Sequence, residues 1–156
     1  MLKNGDTFPS LGFETIGRSP LVLPGELAGS FGAVLVYRGA WCPYCRAQLA
    51  AFSRAMGPLS GLGIKVAALS VDDRATTADL VEKYKLAFPV GYGADCDRVA
   101  RAIGAFTNDD PRYLQSTGFV LDPAGKVITA VYSTGAIGRL VPDDVVGFVR
   151  YVKSHK

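Results

Sequence analysis

The chain has 156 residues, 49% of them hydrophobic and 20% charged, and its formal net charge is +3. These values predict a single globular domain, residues 1–156, and the weak, scattered positive charge gives no basis for nucleic-acid binding or attachment to a membrane surface. No apolar run reaches the roughly eighteen residues of a membrane span, and the early polar residues do not suggest a secretory signal, so we expect a cytoplasmic protein.

The first half of the chain predicts short strands followed by a strand and a helix. Glycines and prolines punctuate the opening up to Pro24, which favours a β-hairpin. The continuous apolar run at residues 33–37 is typical of a strand buried on both faces. Pro43 suits the first turn of the helix that follows, and Gly57-Pro58 is the predicted end of that helix.

The second half predicts further strands and helices. Residues 64–71 form a second buried strand, and Thr76 with Asp79 has the spacing of a capping box at a helix start. The remaining predictions are a short strand at 88–90, a helix capped by Asp95 or Asp97, a hairpin of strands 118–121 and 127–132, and a last helix beginning near Pro142. This order predicts a mixed α/β fold in which parallel strands give way to a hairpin.

The histidine content limits the chemistry. The single histidine, His155, lies next to the last residue, where chains usually fray. A Cys–His or Ser–His catalytic pair and a histidine-ligated metal are therefore not expected. We predict no metal and no organic cofactor.

Two cysteines separated by two residues stand where the buried strand passes into the first helix. Cys42 falls at or next to the helix N-cap, where free N–H groups and the helix dipole stabilise a thiolate. Cys45 begins the apolar face one turn later. We therefore expect Cys42 to be exposed and nucleophilic and Cys45 to be shielded beneath it, a pair that can close a disulfide.

Several neighbours of this pair are candidate supporting residues. Trp41 is expected to cover the site on one side. Arg38 and Arg46 bring positive charge that favours a thiolate. Arg38 ends the buried strand beside the site, so we expect it to support the reactive cysteine. Arg46 is interpreted as a solvated surface residue.

Two other interpretations of the cysteines remain open at this point. A structural zinc site needs four ligands, and Cys96 is the only further cysteine, so the sequence does not offer a complete set of zinc ligands. Plain core packing is the second alternative. Cys96 itself is interpreted as a bystander rather than a second resolving thiol, because nothing in the sequence predicts the close approach that a disulfide requires.

The segment "VLVYRGAWCPYCRAQLAAF", residues 34–52, resembles the redoxins of the alkyl hydroperoxide reductase and thiol-specific antioxidant family, and in particular a peroxiredoxin-like branch with a C-x-x-C site. Further similar segments are "LKNGDTFPSLGFETI", "GIKVAALSVDD", "LAFPVGYGADCDRVARAIGAF" and "STGFVLDPAGKVITAVYSTGAIGRL". The resemblance implies a thioredoxin-like α/β fold with an N-terminal β-hairpin extension and a central mixed sheet flanked by helices.

The resemblance also assigns roles to the cysteines. Cys42 matches the peroxidatic cysteine and Cys45 the resolving thiol, with Pro43 between them. The family typically has a proline seven residues and a threonine three residues before the peroxidatic cysteine, where this chain has Leu35 and Gly39. The threonine hydroxyl that orients the peroxide is therefore absent.

A second departure concerns the residue that faces the cysteine from a later strand. The family often has an arginine or a cis-proline where this chain has Ser116, followed by Thr117, whose hydroxyl is a candidate substrate contact. The peroxide-activating arginine must then come from elsewhere. Arg38 and Arg112 are the candidates, with Arg139 a weaker one.

The predicted function is a thiol-dependent antioxidant oxidoreductase. It would reduce peroxides through a Cys42 sulfenic acid and a Cys42–Cys45 disulfide, and a thioredoxin-like or low-molecular-weight thiol would restore the pair. A homodimer is among the expected assemblies. One alternative is a reductase of protein or small-molecule disulfides, favoured by the missing threonine. The other is a non-catalytic redox sensor or binding module with an aromatic surface of Tyr37, Trp41 and Tyr44.

Overall fold

The computed structural model describes residues 1–155, which form a mixed seven-stranded sheet, a small separate hairpin and five α-helices. The strands are β1 (Leu11–Thr15), β2 (Leu21–Leu23), β3 (Phe31–Val36), β4 (Ile64–Leu69), β5 (Val90–Tyr92), β6 (Thr107–Asn108), β7 (Tyr113–Leu114), β8 (Thr117–Leu121) and β9 (Val127–Tyr132). The helices are α1 (Pro43–Arg54), α2 (Met56–Gly61), α3 (Arg74–Tyr84), α4 (Cys96–Ile103) and α5 (Pro142–Ser154).

The main sheet has the strand order β2-β1-β5-β4-β3-β8-β9. Strand β3 lies inside it, parallel to β4 and antiparallel to β8, and all six of its residues are buried, as the apolar run predicts. The N-terminal hairpin β1–β2 joins the edge through antiparallel pairing with β5. The predicted central mixed sheet with an N-terminal hairpin is therefore confirmed.

Side chains alternate between the two faces of β3, and each face has its own hydrophobic cluster. Ala33 and Leu35 point into the first cluster, which includes residues of α1, α3 and α5, whereas Val34 and Val36 point into the second, against α4 and the N-terminal hairpin. Both Cys42 and Cys45 belong to the first cluster, while Cys96 packs against the second. The sheet thus separates Cys96 from the C-x-x-C pair.

One predicted helix end is wrong. Helix α1 ends at Arg54, and Gly57-Pro58 lies in the first turn of the short helix α2 instead of closing α1. Proline is tolerated there because the first N–H groups of a helix have no intrahelical acceptor.

Two helix starts are set by aspartate caps. Helix α3 begins three residues earlier than predicted, because its N-cap is Asp73 instead of Thr76; Asp73 accepts a hydrogen bond of 2.9 Å from the N–H of Thr76. Helix α4 is capped by Asp95, one of the two predicted candidates, through a bond of 3.1 Å from the N–H of Arg98.

The short hairpin β6–β7 was not predicted from the sequence. Each of its strands has two residues, too few for an alternating pattern to be visible. The hairpin carries Tyr113 next to the start of β8, so it bears on the site.

Within residues 1–155, no helix is long and apolar enough to cross a membrane.

Candidate active site

Cys42 is the N-cap residue of α1, at the end of the loop that leaves β3. Its Sγ accepts a hydrogen bond of 3.3 Å from the N–H of Cys45, and Pro43 occupies the first helical position, as predicted. The expectation that Cys42 is exposed is wrong, since both cysteines have no exposed surface. The sulfur is buried because it belongs to the first hydrophobic cluster and is in contact with the guanidinium of Arg38.

The loop before Cys42 is fixed by three hydrogen bonds. The N–H of Cys42 donates to the carbonyl of Gly39 (3.1 Å), and the N–H of Ala40 donates to Asp72 Oδ2 (2.8 Å). Arg46 donates from Nη1 to the carbonyl of Ala40 (3.0 Å), so it supports the backbone and is not merely a solvated surface residue. This network holds the cysteine backbone in one place relative to β3.

Arg38 brings its guanidinium to the sulfur of Cys42. Its Nη1 lies 3.6 Å from Cys42 Sγ, while Nε donates to Gln115 Oε1 and Nη2 to Tyr113 Oη, both at 3.0 Å. The guanidinium also packs over the rings of Trp41 and Tyr113, 4.9 and 5.3 Å from their centroids. All its protein partners apart from the cysteine are neutral, so its charge is directed at the sulfur.

Thr117 reaches the site indirectly. It is buried at the start of β8, and its hydroxyl donates to the carbonyl of Gln115 at 3.0 Å. The structure therefore places Thr117 behind Gln115, which holds Arg38, and not in contact with either sulfur. Gln115 and Tyr113 are site residues that the sequence interpretation missed.

Trp41 lies over Gly39 and explains why that position is glycine. The indole is half exposed and packs edge-on against Tyr113, with ring centroids 5.0 Å apart. A Cβ atom on Gly39 would lie 2.2 Å from Trp41 Nε1, which is closer than any real contact. The indole therefore fills the space that a side chain at position 39 would need.

We expect Gly39→Thr to displace Trp41 from this seat. Moving the half-exposed indole into water loses its packing on Tyr113, at a cost of about 1 kcal/mol of stability. The emission of the chain's single tryptophan should then shift to longer wavelength. In a Trp41→Ala background the same substitution should cost little stability, measured by urea unfolding followed by circular dichroism. An unchanged emission maximum in Gly39→Thr would contradict this packing.

Cys45 lies one turn below Cys42 and has its own set of donors. The N–H of Arg38 lies 3.4 Å from Cys45 Sγ, and Arg139 Nη2 lies 3.5 Å from it. Arg139 is held by Gln48, whose Oε1 accepts from Nη1 at 2.8 Å. Each sulfur thus faces one arginine side chain: Arg38 at Cys42 and Arg139 at Cys45.

These contacts shift the pKa values of the two thiols in opposite directions. Although burial opposes ionisation, hydrogen bonds from Cys45 and Arg38, together with the charge of Arg139, lower the pKa of Cys42 below its ordinary value. Burial and the hydrogen bond with Cys42 raise the pKa of Cys45. Cys42 is therefore the first of the pair to become a thiolate.

Other predicted participants lie elsewhere. Arg112 pairs with Asp97 and Asp109 on the surface, so it is not at the site. Tyr37 is fully buried and cannot contribute to an aromatic surface. All three cysteines are free, and among residues 1–155 no third cysteine, histidine or carboxylate joins the pair to make a metal-binding group.

The chain matches the model of the AhpC/TSA family over residues 5–130. It is 30% identical to a peroxiredoxin of Treponema denticola and 28% identical to one of Chlorobaculum tepidum, in each case over 96% of this chain and 72% of the relative.

Solved structures are similar throughout the fold. Peroxiredoxin 6 of Arenicola marina superposes with a TM-score of 0.85 at 17% identity, covering 98% of this chain and 74% of that one. Peroxidoxin BcpB of Mycobacterium tuberculosis gives 0.83 at 19% identity, with 97% and 99% covered. A yeast mitochondrial 1-Cys peroxiredoxin, whose thiol is resolved through glutathione/thioredoxin systems, gives 0.80 at 19% identity, with 99% and 78% covered. These similarities confirm the predicted thioredoxin-like fold.

Proposed function

The chain belongs to the AhpC/TSA family and is a thiol-dependent peroxidase, and from this premise we propose that Cys42 is its peroxidatic cysteine and Cys45 its resolving cysteine. The observation that carries the proposal is the geometry around Cys42. Its sulfur caps α1, accepts the N–H of Cys45 and faces the guanidinium of Arg38 at 3.6 Å. This arrangement provides an activated thiolate, a positive charge for the departing oxygen and a second thiol within one helical turn.

In the first step the Cys42 thiolate attacks the terminal oxygen of a hydroperoxide. The new S–O bond forms as the O–O bond breaks, which gives a Cys42 sulfenic acid and an alkoxide or hydroxide that takes up a proton. Arg38 stabilises the negative charge as it moves from sulfur to the departing oxygen. Because Gln115 and Tyr113 fix two edges of the guanidinium, it is in position before the peroxide binds.

In the second step the sulfur of Cys45 attacks the sulfur of the sulfenic acid. The S–O bond breaks, hydroxide leaves and takes up a proton to form water, and the Cys42–Cys45 disulfide closes. In the reduced protein Cys42 is the N-cap of α1 and Cys45 is the third residue of that helix. The helix therefore already holds the two cysteines one turn apart.

The disulfide must then be reduced by an external thiol. We propose a thioredoxin-like protein or a low-molecular-weight thiol, because exchange through a mixed disulfide returns both cysteines to the reduced state. The yeast relative in fold, resolved through glutathione/thioredoxin systems, is consistent with either source. We also propose that the protein is cytoplasmic and forms a homodimer.

Replacing Cys45 by serine tests the division of roles. We expect Cys45→Ser to react once with hydrogen peroxide and then to accumulate a Cys42 sulfenic acid, because the internal thiol that resolves it is gone. Dimedone labelling followed by mass spectrometry should locate the adduct on Cys42, and with excess peroxide sulfinic acid should appear there. Cys96→Ser is the matched control and should still form the internal disulfide. A Cys45→Ser protein that gives no dimedone adduct on Cys42 after peroxide treatment would contradict the proposal.

The two alternative functions are not favoured. Both curated relatives are peroxiredoxins, which places the chain with peroxidases and not with disulfide reductases or non-catalytic sensors. The absence of the usual threonine has a local explanation, since the indole of Trp41 occupies the space at Gly39.

A further inference from the structure

We propose that Arg139 is a catalytic residue of the second step, in which its guanidinium stabilises Cys45 as a thiolate after Cys42 has become a sulfenic acid. This inference rests on the proposed function and deepens it. Arg38 acts on peroxide cleavage, while Arg139, whose charge also favours the Cys42 thiolate, acts in addition on disulfide formation.

The position of Arg139 is fixed by the segment between β9 and α5. Its Nε and Nη2 both donate to the carbonyl of Ala136, and Nη1 donates to Gln48 Oε1. Gln48 is itself buried and donates to the carbonyl of Leu140 at 2.8 Å. These acceptors hold the guanidinium of Arg139 so that its Nη2 lies 3.5 Å from Cys45 Sγ.

The charge of Arg139 is not neutralised by a carboxylate. Both ion pairs within residues 1–155 involve Arg112, and the partners of Arg139 are two neutral oxygen acceptors and the thiol. A half-buried guanidinium without a counter-ion favours any anion that forms next to it. The sulfur of Cys45 is the ionisable atom in contact with it.

The oxidation of Cys42 changes the balance of charges around Cys45. In the reduced protein a Cys42 thiolate opposes ionisation of Cys45, and burial raises the pKa of Cys45 further. A sulfenic acid is neutral, so this repulsion disappears after the first step while both arginines remain. The other titratable group facing Cys45 is Tyr37, whose pKa burial raises to about 12, so it stays neutral throughout.

Ionisation of Cys45 is the event that allows the disulfide to form. The Cys45 thiol loses its proton, its sulfur attacks Cys42 Sγ, and the S–O bond breaks. The departing hydroxide takes up a proton and leaves as water, so one thiol and one sulfenic acid give one disulfide and one water. No reactant is needed beyond those of the peroxidase reaction.

The test separates the two steps in time. Reduced wild-type protein, Arg139→Gln and Arg139→Lys would be mixed with hydrogen peroxide, and samples quenched with dimedone would be analysed by mass for sulfenic acid and disulfide. Across a pH series, the rate constant from sulfenic acid to disulfide should fall at least about tenfold in Arg139→Gln, the loss expected for a hydrogen bond to a charged group. Its pH midpoint should move upward. Arg139→Lys, which keeps the charge, should retain part of the rate.

The control is Arg150→Gln, which removes an exposed charge from α5 and should change neither quantity. A structural role for Arg139 would lower the amount of reactive protein without moving the pH midpoint. If the wild type forms neither a sulfenic acid nor a disulfide at Cys42 with peroxide, the proposed function itself is wrong. If both steps are seen and Arg139→Gln leaves the second rate constant and its midpoint unchanged, only the role of Arg139 is overturned.

Discussion

Cys42→Ser is expected to lower the peroxide reduction rate by about a thousandfold or more, the scale seen when a nucleophile is removed. Serine preserves the helix cap, because its oxygen also accepts the N–H of Cys45, so the fold should be retained. The hydroxyl does not ionise at neutral pH and cannot form a sulfenic acid. The loss should therefore appear in the second-order rate constant with hydrogen peroxide.

The matched control for this substitution is Cys96→Ser. Cys96 lies at the start of α4 and packs against the cluster on the other face of the sheet, so its loss should leave the rate constant within about twofold of the wild type, as for a surface change. A Cys42→Ser protein that keeps wild-type activity would remove the basis of the mechanism.

Arg38→Met should lower the rate constant for peroxide about 100- to 1,000-fold, the usual effect of removing one preorganised donor to a developing negative charge. Methionine keeps an apolar side chain between Trp41 and Tyr113 but brings no charge and no donors. Arg38→Lys should retain more activity, since a lysine keeps the charge while losing the planar fork that Gln115 and Tyr113 hold.

Arg38→Met should also shift the pH dependence of the rate constant for peroxide to higher pH. The wild-type rate should rise with pH through a midpoint below the ordinary pKa of a cysteine and then level off, because the pKa of Cys42 is lowered. Removing Arg38 takes away a donor to the thiolate, so the midpoint should move to higher pH. Arg112→Met is the control, because Arg112 is bound to Asp97 and Asp109 away from the site. An unshifted midpoint in Arg38→Met would contradict the assignment of Arg38.

The sequence predicts the parts of this site that depend on local order along the chain. A buried strand followed by Cys42, Pro43 and a helical apolar pattern places the cysteine at a helix N-terminus, and the structure has it there. The burial of Cys42 was not predicted, because it depends on Arg38 and on the cluster residues from other elements that pack against the sulfur.

The parts that depend on pairing between distant segments were predicted less well. Tyr113 and Gln115 reach Arg38 because β8 runs antiparallel to β3 with Val36 opposite Thr117. The residues before Thr117 therefore lie beside those after Val36. Given the strand pairing and its register, these side chains could have been named from the sequence; without the register, Arg112 was an equally reasonable choice.

Arg139 illustrates the same limit from a different element. It was the weakest of the three arginine candidates, and it lies in the irregular segment between β9 and α5. Its position depends on Gln48, which lies one turn after Cys45 on α1 and was predicted only as part of a helix. A glutamine three residues after a candidate cysteine, next to the apolar face of a predicted helix, is the sequence signal that points to a polar partner on that face.

The most direct measurement is the fate of each cysteine after one equivalent of hydrogen peroxide. Reduced protein would be mixed with peroxide for a single turnover, alkylated, digested and analysed by mass spectrometry. The mechanism predicts a disulfide between Cys42 and Cys45 within one chain, with Cys96 recovered as a free thiol. A disulfide that includes Cys96, or a Cys42 that remains reduced while peroxide is consumed, would contradict it.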